Sequence, residues 1–310
     1  MQVAVRDGSA IGLLQIMAAA ALWATVGVAS RMIPASETLS DVVMGVARMA
    51  VGGPVILALA IVSRQDRFAA FRRLDLQQLL AFAAGCAVFQ VCLFRAFTLL
   101  GVTATVFVTV CLPPLLACGW SAIRGSQPVS RVALLALGLA AVGLAMFAVG
   151  HGQVASPQSL VPGLGLALAA SIAFVVMTES ARDMTREVGP LIVVGAGLTL
   201  AGIMLLLGLV LLDPQSIAPP AQNGWKTVAL VIYLGLGPTA LAYVIYCSGV
   251  ARCRSAGVGL IASMVEPGLA AVLAWLVLSE RLGSAELIGC AMVSGAMLIL
   301  WWSERAELRG

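Results

Sequence analysis

Apolar positions in this chain come in long runs, broken by short polar or arginine-bearing segments. The runs cover about residues 11–33, 38–62, 76–98, 101–123, 130–150, 162–182, 188–212, 226–249, 256–278 and 284–303. Each is close to the roughly 20 residues that one bilayer crossing needs. Lipid offers no partner to a backbone amide, and the runs are too long for barrel strands, so each predicts a transmembrane helix. The expected fold class is an all-α polytopic membrane protein of ten transmembrane helices. Ile11–Ser30 is uncharged and long enough to span, so it reads as an uncleaved first helix and not as a cleaved leader.

Composition narrows the class. Hydrophobic residues make up 61% of the 310 and charged residues only 10%, against about 25% charged in soluble domains. Too few charges remain to cover a water-facing surface, which excludes a soluble enzyme, a disordered chain and a nucleic-acid binder. Ten crossings of about 22 residues leave little but loops and tails. Seven cysteines in or beside apolar runs, none forming a CxxC pair, read as small buried hydrophobes.

The basic residues give the orientation. With alternating spans, thirteen of the 18 Lys and Arg residues fall on the side of the termini and two on the other. The remaining three, Arg31, Arg48 and Arg95, lie within spans. The positive-inside rule therefore places both termini in the cytoplasm.

The two halves resemble each other. Gly138–Phe147 (GLAAVGLAMF) matches Gly289–Leu298 (GCAMVSGAML) at five of ten positions, and Cys111-Leu-Pro-Pro-Leu-Leu-Ala parallels Met264-Val-Glu-Pro-Gly-Leu-Ala. The division predicts residues 1–150 as one five-helix repeat and 151–310 as a second, together forming one transport unit. Five is odd, so the second copy enters the membrane inverted. Inverted repeats with a midplane site are characteristic of secondary transporters.

Candidate chemistry follows from polar groups inside apolar runs. No catalytic motif is present, and the single histidine, His151, lies in a predicted loop. The reading is no enzyme, no cofactor and no metal. Pro113-Pro114 and Glu266-Pro267 fall halfway through the fourth and ninth runs, where proline frees carbonyls that can line a cavity or merely shape packing. Pro54 and Pro238 have weaker claims. Glu266 needs water, a partner or a proton at mid-bilayer. It either borders a substrate cavity, contacting an ammonium group or titrating, or fixes a broken helix.

Arg48 also needs a partner, and structural pairing with a carboxylate or free carbonyls is favoured. Arg31, Arg95 and Glu179 lie near predicted helix ends, where snorkelling is the plain alternative to facing the pore. Trp23, Gln90, Thr98, Trp120, Tyr243, Tyr246 and Ser263 complete the cavity candidates, against packing between helices.

Several of these residues carry a family resemblance. Leu22-Trp23-Ala24, Arg48 and the run from Ala262 to Gly283, with Glu266, Pro267, Glu280, Leu282 and Gly289, resemble the drug/metabolite transporter superfamily, EamA family. Within it, the chain is similar to YddG-type amino-acid exporters. The first repeat departs from the pattern, with Gln127 for the loop glutamate and Pro113 opposite Glu266. The resemblance implies export of neutral or aromatic amino acids, or related small metabolites, across the bacterial inner membrane by alternating access. Spans 1, 3, 4, 6, 8 and 9 are then the expected cavity walls. The expected partners are the bilayer and a small-molecule substrate, with the oligomeric state left open and a monomer compatible. Rival readings are a drug/cation or nucleotide-sugar carrier, a channel or a membrane scaffold.

The charge bias predicts that a reporter fused after Gly310 scores cytoplasmic and one near Pro157 periplasmic. The reverse pair of results overturns the orientation.

Overall fold

The computed structural model describes residues 2–34, 37, 39–63, 71–123, scattered positions from 132 to 146, 157–212, 214, 224–253, 262–263, 265–279 and 283–307. Most of the fifth predicted span lies outside these residues. The described helices are α1 (Gln2–Arg31), α2 (Asp41–Ser63), α3 (Leu76–Leu100), α4 (Val102–Ile123), α5 (Pro157–Val188), α6 (Pro190–Leu212), α7 (Trp225–Leu234), α8 (Ala242–Arg252), α9 (Val265–Leu278) and α10 (Ser284–Glu307). A π-helical segment, π1 (Gly235–Leu241), joins α7 to α8. Six helical stretches are long and apolar enough to cross a membrane, and Val102–Pro114, Val265–Leu278 and Leu287–Ala296 are shorter apolar helices.

Local chemistry sets several ends. Asp75 caps α3, its carboxylate accepting from Gln77 N at 2.8 Å and Gln78 N at 3.1 Å, which satisfies amides the first turn leaves unpaired. Gly101 ends α3 at φ 80°, and Gly189 separates α5 from α6 at φ 90°. Both occupy the left-handed region that glycine enters without steric cost, so each pair of helices can turn within one residue.

Packing pairs helices across the two halves. α1 lies against α8 and α9, α2 against α6, α3 against α5, and α4 against α5 and α9. The α2–α6 pair is antiparallel: Gly45 meets Leu205, Gly53 meets Thr199, and Gly195 meets Leu57. In span numbers the pairs 2–7 and 4–9 map onto themselves when span n is exchanged with span n+5, and 1–8 maps onto 3–6. Large apolar side chains on the outer faces, such as Leu59, Val62, Leu207, Leu211, Trp275 and Leu276, are exposed. That surface suits a lipid solvent.

Two proline expectations change. α4 runs continuously through Pro113 and Pro114, since neighbouring groups in a membrane bundle can re-satisfy carbonyls that proline frees. Glu266 and Pro267 lie in the first turn of α9, not halfway through a helix. A first-turn amide has no intrahelical acceptor, so Pro267 loses nothing there and helps start the helix.

The α2–α6 crossing depends on absent side chains. A Cβ at Gly53 would lie 2.6 Å from Thr199 N and one at Gly195 2.7 Å from Leu57 N, whereas one at Gly165 meets nothing within 4 Å. Backbone cannot yield cheaply, so Gly53→Ala should destabilise the protein by about 1–3 kcal/mol. Gly165→Ala should not lower the unfolding temperature in detergent. Equal unfolding temperatures for both variants would contradict the close crossing.

Candidate functional site

The site grows from a defect in the eighth span. Pro238 has no N–H, so the carbonyl of Leu234 loses the partner an α-helix would provide. Thr239 fills that gap, its hydroxyl donating to Leu234 O at 2.7 Å. At the end of π1, Ala242 N–H bonds to Gly237 O and Thr239 O. In an α-helix it would reach Pro238 O. The released Pro238 carbonyl accepts instead from Trp23 Nε1 of α1 at 2.8 Å. One π turn thus supplies acceptors to two side chains from the other half of the protein.

The second of these is Arg48. It is 2% exposed. Its Nε donates to Thr239 Oγ1 at 2.9 Å and its Nη1 to Gln90 Oε1 at 3.0 Å. The guanidinium carbon lies 5.4 Å from the centroid of the Phe94 ring, within cation–π range. The sequence favours pairing with a carboxylate or free carbonyls, but the described partners are an amide oxygen, a hydroxyl and an aromatic face. Arginine keeps its charge in such surroundings, so this corner remains cationic. Nη2 has no described acceptor.

Around Arg48 is a small cavity, partly open to the outside. Its lining comes from α1 (Trp23, Val26), α2 (Arg48), α3 (Phe89, Gln90, Leu93, Phe97), α4 (Val106, Thr109, Val110), α5 (Phe174), α8 (Tyr243) and α9 (Glu266). Spans 1, 3, 4, 6, 8 and 9 all contribute, and span 2 adds Arg48. Trp23 is the aromatic hub, with ring centroids 5.7 Å from Phe174, 5.4 Å from Tyr243 and 4.9 Å from Tyr246. Tyr246 packs behind this layer and bonds to Thr178 Oγ1 at 3.0 Å. Glu266, 9% exposed, reaches the lining because α9 starts beside it. No ion pair joins it to Arg48 among the described residues. Among the described residues the cavity is lined by aromatic rings, the Arg48 guanidinium and the Glu266 carboxyl, the last two not ion-paired with each other.

Other candidates fall elsewhere. Pro113 and Pro114 are buried and Pro267 is half-buried, all outside the lining. Ser263 is buried away from it as well. Thr98 is exposed and bonds back to Arg95 O at 2.7 Å, so it leaves the site. Arg95 pairs with Asp41 at 3.7 Å near a helix end. Arg31 and Glu179 are exposed. The Trp120 side chain lies outside the described residues. Thr239, Phe89, Phe174 and Thr109 were not singled out in the sequence. Thr239 follows the one intramembrane proline that does alter its helix, which was its only available signal.

Comparison with known proteins supplies a frame. The model of the EamA-like transporter family matches residues 10–149 and 161–302. No curated protein matches the chain. A solved structure described only as the crystal structure of a protein has 21% sequence identity to the chain and a TM-score of 0.68. The match covers 95% of this chain and 96% of that one. At that identity the likeness concerns the fold.

Trp23→Phe keeps a ring but strips the Pro238 carbonyl of its donor. It should cost about 1–3 kcal/mol, seen as a lower unfolding temperature in detergent. An unchanged temperature would show that this bond contributes nothing.

Proposed function

The chain belongs to the EamA-like transporter family, and on that premise we propose that it exports neutral or aromatic amino acids, or closely related metabolites. In this reading it works by alternating access from the bacterial cytoplasm, with both termini cytoplasmic. Residues 1–150 and 151–310 are inverted repeats, a relation supported by the antiparallel α2–α6 pair and the exchange symmetry of the packing. A cavity shared by helices of both halves can open to either side as they rock.

The observation that carries the substrate class is Arg48 and Glu266, not ion-paired among the described residues, lining one cavity with aromatic rings. A zwitterion offers each of them its opposite charge, and Arg48 can give its carboxylate charge-assisted hydrogen bonds from Nη2. Trp23, Phe89, Phe174 and Tyr243 offer apolar area to a side chain. A cationic drug gains from Glu266 and the rings but is repelled by Arg48. A nucleotide sugar brings several negative charges to a site with one arginine.

Saturable counterflow in liposomes, screened over all twenty amino acids, tests this. Arg48→Met and Glu266→Gln should each weaken apparent affinity about 10- to 100-fold, the range for charge-assisted hydrogen bonds, in protein that still folds. Failure to carry any amino acid, or transport of carboxyl-free amines unaffected by Arg48→Met, overturns the reading.

A further inference from the structure

We propose that Thr239 and Gln90 are positioning residues that aim the free edge of Arg48 into the cavity and so set the preference for cargo bearing a carboxylate. The inference rests on the substrate reading above and adds the residues that make it selective.

An arginine side chain has many rotamers, and ordering one costs free energy. A flexible cation would attract any anion without fixing its approach. Here the head is held at two points. Nε–H is committed to Thr239 Oγ1 and Nη1 to Gln90 Oε1. Because the guanidinium is planar, two contacts define its plane and leave Nη2 with donors to spend. The Phe94 ring lies 5.4 Å from the guanidinium carbon.

The direction of the Thr239 hydroxyl is also settled. It has one proton, and Leu234 O takes it at 2.7 Å, so only lone pairs remain for Arg48. The acceptor role is thus enforced by a carbonyl that is available because residue 238 is proline. Hydrogen bonds chained in this way polarise one another. A threonine in an ordinary membrane helix would bond to its own backbone four residues back. The π turn makes the donor target five residues back, Leu234, while the oxygen meets Arg48 across the bundle. Pro238-Thr239 thus links the second half of the chain to the charged head supplied by the first.

The test compares phenylalanine with phenethylamine, the same molecule without its carboxyl group, as competitors of transport in liposomes holding the full chain. The readout is the ratio of their half-saturation concentrations, with maximal flux recorded separately. Wild type should favour the acid, and Arg48→Met should abolish the preference. Thr239→Val keeps the shape but not the acceptor, and should reduce the ratio about tenfold with maximal flux largely kept. Thr239→Ser, which restores the hydroxyl, should restore the ratio. Should Thr239→Val not fold, Gln90→Leu removes the other acceptor, leaves π1 untouched, and should lower the same ratio.

A wild-type ratio preserved in folded Thr239→Val or Gln90→Leu overturns the inference alone. So does equal impairment by valine and serine, which would mark a purely structural role. A wild type that does not prefer the acid overturns the substrate reading and the inference with it.

Discussion

A guanidinium shut inside a membrane bundle has to be met by acceptors, and the site is organised around how Arg48 is met. Burying a charge without partners costs several kcal/mol. This one is held by neutral dipoles and an aromatic face, with no described carboxylate closing on it. Neutral partners satisfy geometry while leaving the charge uncancelled. A carboxylate in the same place would have filled the fork and quenched the cavity's affinity for an anionic group. Keeping a cation unneutralised in a low-dielectric site is therefore intelligible as a binding device.

One of the Arg48 acceptors, Thr239, sits in an irregular segment of its helix. Pro238 interrupts the hydrogen-bond ladder, π1 absorbs the extra residue, and the displaced groups serve Arg48 and Trp23. Both side chains come from the first half and both acceptors from the second. The bonds that shape the cavity thus also join the two halves of the chain. At the outer reaches of the bundle the contacts are of another kind. Glu37 accepts from Gly224 N at 2.7 Å and Thr227 Oγ1 at 2.6 Å, while Arg186 donates to Ala251 O and Arg252 to Gln15. These polar clasps bind helix ends without touching the cavity.

Six of the apolar runs legible in the sequence are helices long and apolar enough to cross a membrane, because the bilayer imposes that length. Trp23, Arg48, Gln90, Tyr243 and Glu266, candidates in the sequence, all line the cavity, since a polar group deep in an apolar run has few places to point other than inward. Arg95 and Glu179 are exposed, as the snorkelling alternative has it, and Thr98, near the end of α3, is exposed too. Phe89 and Phe174 stayed invisible because an aromatic residue in an apolar helix suits lipid and core equally well. Thr239 stayed invisible because threonine is cheap in any membrane helix once it bonds to its own backbone. Internal similarity drew attention to Pro113 and Pro267, but a proline's effect depends on its place in its helix. Pro267 occupies a first turn, where it breaks nothing, and Pro238 an interior one, where it opens the ladder.

The central claim is that the free edge of Arg48 receives the carboxylate of the cargo. The most direct measurement is magnetic dipolar coupling, by solid-state NMR in lipid bilayers, between the carboxyl carbon of ¹³C-labelled phenylalanine and ¹⁵N-labelled arginine side chains. The account predicts dephasing of the carboxyl signal in wild type that disappears in Arg48→Met, with bound phenylalanine still detectable at high concentration. Phenylalanine bound with no coupling to arginine, or with coupling that persists in Arg48→Met, would contradict it.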